Sequence, residues 1–402
     1  MELKTNTVIV KVTNDCNINC RYCFVEKTVP RGGFITDEVL KRLFDELEEH
    51  SSAPAIRIIW HGGEPLLAGI EFFRKVVTMQ KAYKKKYTNC IQTNGLLLTE
   101  DIAGFLKDNS FQVGVSLDGP RALNDAVRVD RSGNGTFENV FKNILLLKEQ
   151  KVPFGILVAV SRHNAGKAKE LYSFCRQYGL PFKVSSLYTS GNARDNIDLL
   201  AISPDEYAGF LEELAQVWMD DSSPVDIQTL ESMLGNIIEH GRYQMICSFS
   251  SDCCESFLAV GPTGDLYPCC LFQGFEEYRY GNISRMSIAG ICHTAVWKEL
   301  KGRADYIDNK ACPGCPIKEY CRGGCPFNAF TAYGSVMRKD HYCRTYKRVM
   351  PAILEIAGAK MKEVRDGRKE RTGDKTKNQE HPGEFQCITA RGDRKDSPAE
   401  EN

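Results

Sequence analysis

No stretch of this 402-residue chain approaches the roughly 18–20 consecutive apolar residues of a membrane-spanning helix, so no membrane anchorage is expected. Charge of one sign is lacking too: 52 Lys and Arg balance 52 Asp and Glu. That balance gives no support to a nucleic-acid or membrane-surface protein held by bulk positive charge. The opening residues, Met1 to Asn6, hold no apolar signal region before an alternating strand pattern begins, which leads to the expectation of a cytoplasmic protein. Apolar residues at 42% and charged residues at 26% are ordinary globular values, and the length suits two domains or one large domain with an appendage.

What is plentiful is cysteine, with 17 in the chain. An odd count, no export signal and tight clustering speak against a disulfide framework. In a reducing compartment, cysteines at short spacings are more often ligands of metals or iron–sulfur clusters.

Residues 7–190 read as six strand-then-helix units. Strands are expected at Thr7 to Thr13, Ile56 to Trp60, around Thr88 to Gln92, Gln112 to Leu117, Phe154 to Val160 and Phe182 to Leu187. Helices are expected from Thr36, from Gly69 to Lys85, from Thr99, and near 136–150 and 164–178. The Thr36 hydroxyl can cap its helix, and Asp37 and Glu38 suit the positive end of the dipole. Six βα units imply an α/β fold with a parallel sheet and right-handed crossovers, either doubly wound or a curved partial barrel. In both, ligands gather at the carboxyl ends of the strands. The expected division is an α/β unit at 1–191, a polar helical connector at 192–246, a cysteine-rich domain at 247–360 and a disordered, charge-rich tail at 361–402. Residues 247–343 hold eleven of the 17 cysteines among short Gly- and Pro-containing segments, so metal is expected to supply much of that region's stability.

Cys16, Cys20 and Cys23 form C-x3-C-x2-C straight after the first strand. Three thiolates on one loop hold three irons of a [4Fe–4S] cube and leave the fourth iron open to bind and reduce a small molecule. A zinc loop would need a fourth ligand nearby, which Cys90 could supply. The run Cys16-Asn17-Ile18-Asn19-Cys20-Arg21-Tyr22-Cys23-Phe24 resembles the cluster loop of the radical S-adenosylmethionine (SAM) superfamily. The resemblance implies a partial (β/α)6 barrel, SAM chelated at the open iron, and its one-electron cleavage to methionine and a 5′-deoxyadenosyl radical that takes hydrogen from a substrate. It also implies that Tyr22 contacts the adenine. His61-Gly62-Gly63-Glu64-Pro65 resembles the family's glycine-rich loop over the SAM amino group. There Gly62 and Gly63 would let the backbone approach the ligand without a Cβ in the way, and Glu64 would meet the ammonium. By the same resemblance Ser116 and Arg128 contact SAM, Arg128 by pairing with its carboxylate, and Leu187 packs on the adenine side. Asp118 is expected to be structural or a polar neighbour of that pocket.

The second pattern, Cys254-x9-Gly264-x4-Cys269, Cys312-x2-Cys315-x5-Cys321-x3-Cys325 and then Cys343, resembles the SPASM domain. That resemblance implies two auxiliary [4Fe–4S] clusters, each closed by four thiolates and so suited to electron transfer. One would sit on Cys254, Cys269, Cys325 and an upstream cysteine, Cys247 or else Cys253. The other would sit on Cys312, Cys315, Cys321 and Cys343. Spacing alone leaves a pair of structural zinc sites open. Cys90, Cys175 and Cys292 read as buried small hydrophobes, and Cys387, in the tail, as incidental.

Within the superfamily the chain is similar to the anaerobic sulfatase-maturing enzymes, through the Gly62-to-Phe73 loop, the Gln92-to-Gly95 turn, Ser116 to Pro120 and the SPASM spacing. Those enzymes convert a cysteine or serine to formylglycine, and their catalytic base is an aspartate directly after the cysteine of a Tyr-Pro-Cys turn. Here Tyr267-Pro268-Cys269 is followed by Cys270, either a substitute catalytic group or a leftover buried thiol. The substitution moves the expectation toward maturation of ribosomal peptides by thioether or other crosslinks, ahead of formylglycine formation. A small-molecule radical SAM dehydrogenase comes third. The expected partners are a peptide or protein substrate and an electron donor such as flavodoxin or ferredoxin, in an anaerobic setting. With a strand beginning within ten residues of Met1, a peptide leader would be recognised by another surface or a separate protein.

Overall fold

The computed structural model describes residues 3–241, 247–250 and 252–370. Valine and isoleucine fill Thr7–Thr13 (β1), and every one of its seven residues is buried, as befits a strand in the middle of a parallel sheet. β2 (Ala55–Gly62), β3 (Lys86–Thr93), β4 (Gln112–Ser116), β5 (Phe154–Val160) and β6 (Phe182–Ser186) follow, each parallel to the strand before it. These strands and their crossover helices are the expected partial (β/α)6 barrel. The crossover helices are α1 (Asp37–His50), α2 (Gly69–Gln80), α3 (Glu100–Asp108), α4 (Phe137–Glu149) and α5 (Ala168–Tyr178). Thr36 and Thr99 cap α1 and α3, accepting from Val39 N–H and Ile102 N–H. α2 stops at Gln80, short of the expected Lys85. Beyond it Glu48 accepts from the backbone N–H groups of Lys84 and Lys85, and Lys85 Nζ reaches Ser51 O and Ala53 O, which turns the chain into β3.

On the far side of β1 the sheet continues into β7 (Phe257–Val260), parallel to it, and then antiparallel β8 (Asp265–Tyr267) and β9 (Gly281–Asn282). The order is β6-β5-β4-β3-β2-β1-β7-β8-β9, so the cysteine-rich region shares the barrel's sheet. Its aromatic residues pack in an apolar cluster that also takes in Ile9 of β1. Phe272 packs on Tyr278 and Phe327 with ring centroids 4.6 and 5.1 Å away, and Phe330 packs on Phe275 and Tyr278 at 5.1 and 4.8 Å. Aromatic pairs in such tilted and edge-on arrangements bury large areas and fix geometry.

The stretch expected as a polar connector is a core layer. In α6 (Pro204–Asp220), Tyr207, Phe210, Leu211 and Leu214 are buried, as are Leu230 and Met233 in α7 (Gln228–Ile238). They join one apolar cluster with Tyr346, Val349 and Ile353 of the last helix, α8 (Cys343–Glu370). That helix runs past Lys362, where the tail was expected to begin. Cys387 and the rest of 371–402 lie outside the described residues. Among the described residues no helix is long and apolar enough to cross a membrane.

Candidate active site

At the carboxyl ends of the parallel strands lies a partly open cavity. Cys16, Cys20, Cys23, Tyr22, Gly62, Gly63, Ser116, Arg128 and Leu187 all line it, so residues from five separate chain segments meet as the sequence motifs anticipate. The glycines are also needed by the chain itself. A Cβ on Gly62 would lie 2.1 Å from Thr13 O, and one on Gly63 2.1 Å from Asp15 O. Their bareness lets the β2 loop lie against the cysteine loop, laced by Gly63 N–H to Thr13 O and Glu64 N–H to Asp15 O, each at 2.8 Å.

Glu64 departs from its expected role. Its carboxylate is buried and turned away from the cavity, accepting from Leu66 N–H at 3.0 Å, Thr93 Oγ1–H at 2.7 Å and Asn94 N–H at 2.7 Å. It is a strut between the ends of β2 and β3. Burial raises its pKa to about 7, against the pull of those three donors.

Arg128 is already paired with a carboxylate of the chain itself. Its guanidinium grips the buried Asp118, whose Oδ2 also accepts from the Tyr22 hydroxyl, and it lies over the Tyr22 ring at 5.2 Å. Burial disfavours the Arg128 charge, and Asp118 more than offsets that, leaving its pKa raised. Burial likewise drives the Tyr22 phenol well above its usual range. Tyr22, Arg128 and Asp118 form one rigid block beside Cys20, whose thiol burial pushes up to about 12. Ser116 is held by Gln92 Nε2 at 3.1 Å.

Several further residues at the site are given no role by the sequence motifs. Asn94 Nδ2 approaches Cys16 Sγ at 3.7 Å. His61 lines the cavity, its Nδ1 accepting from Gly62 N–H at 2.7 Å, and burial followed by the Lys11 charge lowers its pKa to about 4. Lys11 is 2% exposed, with Nζ 5.8 Å from the centre of the Phe24 ring. Burial lowers its pKa, opposed by Cys270, Cys23 and Cys269, so the ammonium stands between the first cysteine loop and the Tyr-Pro-Cys turn. A lysine inside the apolar run Val-Ile-Val-Lys-Val was the available signal. Tyr188 lines the cavity, its ring edge-on to Phe24 at 6.1 Å and to Phe327 at 6.2 Å, with Cys325, Cys247, Cys269 and Cys270 as its electrostatic neighbours.

The remaining cysteines fall into two sets. Cys312, Cys315, Cys321 and Cys343 act electrostatically on one another. In the other set Cys247 neighbours Cys253, Cys269 and Cys325. Cys254, expected there, is buried in one apolar cluster with Cys325 and Cys270, with Cys269 packed against it, and it acts electrostatically on Cys253. Cys270 is buried, and its thiol is held below the usual range by the hydrogen bond with Cys269 and by the Lys11 ammonium. Cys90 donates to Gln112 Oε1 at 3.4 Å and Cys292 to Ala289 O at 3.1 Å, while Cys175 sits in the apolar core. All the described cysteines are free thiols. The donor chemistry fits iron–sulfur clusters: a three-thiol loop opens on a cavity, and two further sets of four lie beyond it. Among the described residues no three side chains close on a single ion, and a cube asks only one cysteine of each iron.

The radical SAM superfamily model matches residues 10–175, and the iron–sulfur cluster-binding SPASM model matches residues 253–316. The chain is therefore a radical SAM enzyme with a SPASM extension, and its cofactors are SAM and [4Fe–4S] clusters. A cysteine-type anaerobic sulfatase-maturating enzyme of Clostridium perfringens is 30% identical over 374 residues, spanning 87% of this chain and 97% of the relative. A serine-type enzyme of Bacteroides thetaiotaomicron is 28% identical, over 79% of this chain and 81% of the relative. The solved structure of native anSMEcpe with bound AdoMet superimposes with a TM-score of 0.77 at 27% identity, covering 90% of this chain and 99% of that one. The chain belongs to the family of anaerobic sulfatase-maturating enzymes.

Proposed function

We propose that this enzyme oxidises a cysteine or serine side chain of a peptide or protein to formylglycine. The observation that carries the reading is the likeness over nearly the whole length of the sulfatase-maturating relatives, 97% of the Clostridium perfringens enzyme. It favours formylglycine formation over the crosslinking chemistry that the sequence put first. A solved structure of anSMEcpe holds AdoMet together with a Cp18Cys peptide, which supports a peptide substrate here.

On this reading Cys16, Cys20 and Cys23 hold the SAM cluster. Cys247, Cys254, Cys269 and Cys325 hold the first auxiliary cluster, and Cys312, Cys315, Cys321 and Cys343 hold the second. When bound, SAM and the clusters supply the hydrogen-abstracting radical and accept the substrate's second electron. Tyr22 and Leu187 enclose the adenine side, and the Arg128–Asp118 pair orients a polar end of SAM. Phe24 and Tyr188 keep water from the wall between the cavity and the first auxiliary set. Cys270, beside the Lys11 ammonium that favours its thiolate, takes the proton that the substrate side chain releases. The chain works in a reducing compartment such as the cytoplasm, with flavodoxin or ferredoxin as its electron donor.

One observation favours a second reading. A thiol rather than a carboxylate at position 270 suits a maturase that forms thioether or other crosslinks in ribosomal peptides. Anaerobic incubation with SAM, a strong reductant and a peptide bearing a sulfatase-type cysteine motif, read by mass spectrometry, separates the two. Replacement of the cysteine sulfur by an aldehyde oxygen supports formylglycine formation. Loss of two hydrogens with sulfur retained supports crosslinking and overturns the first reading.

A further inference from the structure

The second cysteine set opens on a basic face. Cys315 and Cys343 are half-buried, and beside them an open groove is lined by Arg338, Lys339, Arg344, Lys347, Tyr333 and Asp340, among others. Arg344 is paired with Asp205 at 3.1 Å. Arg338, Lys339 and Lys347 are exposed, and among the described residues none of the three has a carboxylate partner. Asp340, the acid among these lining residues, is buried and accepts from Cys325 N–H at 2.7 Å and Tyr342 N–H at 2.8 Å. Lys339 and Lys347 act electrostatically on both Cys312 and Cys343, so their charge lies close to the sulfur set. Tyr333 is 50% exposed, with the Arg338 guanidinium 5.9 Å from its ring centre.

In a chain whose charges balance overall, three uncompensated cations and an exposed aromatic side chain gathered over one set of four thiols mark an entry point for electrons. Small charged faces are typical of brief electron-transfer encounters, where complementary charge raises the association rate more than the lifetime. We propose that this face docks an acidic one-electron carrier protein, which passes a single electron to the cluster held by Cys312, Cys315, Cys321 and Cys343. The carrier loses one electron, the cluster gains it, and no bond is made or broken. The inference rests on the cluster assignment above and adds to it the surface and the charge of the partner. A nucleic acid would also be drawn to positive charge, but the sulfur set beneath these cations favours the carrier.

The test is anaerobic stopped-flow reduction of the full chain, loaded with its clusters, by a reduced acidic flavodoxin. Lys339→Glu with Lys347→Glu is expected to lower the second-order rate constant at least tenfold and to flatten its dependence on ionic strength. Reduced methyl viologen, a cation, should reduce the variant as fast as the wild type or faster, with iron content unchanged. An unaltered flavodoxin rate and salt slope would overturn the proposal. So would equal slowing with methyl viologen, because that places the damage in the cluster and not in docking. Failure of the underlying reading shows separately, as absence of 5′-deoxyadenosine when the wild type receives SAM and reduced methyl viologen.

Discussion

Arg128 meets Asp118 through two parallel contacts, Nε to Oδ2 at 3.0 Å and Nη2 to Oδ1 at 3.3 Å, and both side chains are buried. Asp118 also accepts from the Tyr22 hydroxyl and from Ala159 N–H at 2.9 Å. One carboxylate thereby ties the cysteine loop to the ends of β4 and β5, and the positions of Tyr22 and Arg128 at the cavity both depend on it.

Breaking that pair should be costly. Asp118→Ala leaves a buried guanidinium without a partner and is expected to lose about 3–5 kcal/mol of stability in anaerobic urea unfolding. Asp118→Asn keeps the shape and should lose less, while still weakening SAM binding measured by calorimetry. Wild-type stability in the alanine variant would refute the structural role.

The glycine pair offers a sharper test of why the β2 loop is bare. Gly63→Ala places its new Cβ 2.1 Å from the Asp15 carbonyl oxygen, a backbone atom that cannot swing aside. The loop must then part from the cysteine loop. SAM affinity is expected to fall at least tenfold, with the two auxiliary sets of cysteines still loaded with iron.

Adjacent cysteines should behave differently. Three loaded cubes correspond to about 12 irons per chain. Cys254→Ser is expected to bring the count down toward about 8, and Cys253→Ser to leave it near about 12. Iron analysis with electron paramagnetic resonance decides between them, and the reverse pattern would make Cys253 the ligand.

Glu64 predicts a pH dependence. An unfolded glutamate ionises near 4.5, whereas in the fold its pKa is raised to about 7. Between those values the native chain holds a proton that the unfolded chain has lost, so this group's contribution to stability falls as pH rises from about 4.5 to about 7. Glu64→Gln should flatten that part of the profile of denaturation midpoint against pH. It should also lower stability overall, because the amide cannot serve all three donors as the carboxylate does.

The six parallel strands were legible because most are short apolar or alternating runs bounded by a cap or a turn, and Thr36 and Thr99 marked helix starts at the right residues. β8 and β9, three and two residues long, carry too little periodicity to be seen, and β7 becomes a sheet member only through its pairing with β1. The connector was misjudged for a related reason: composition counts polar residues but does not show that one face of α6 meets α8. The aromatic knot of Phe272, Tyr278, Phe327 and Phe330 draws on separated segments, which no local window joins.

By itself the sequence determined the chemistry that rests on covalent spacing. Three thiols within eight residues must share a loop, and Gly62-Gly63 must form a turn that no side chain obstructs. Tertiary structure alone decided direction and company. It turned the Glu64 carboxylate inward to Thr93 and Asn94, gave Arg128 to Asp118, gathered Cys254, Cys270 and Cys325 in one cluster, and buried Lys11 between two sulfur sites. Neighbouring residues share a backbone, but burial and long-range partners decide which side chain reaches a site, and those exist only once the sheet has closed around them.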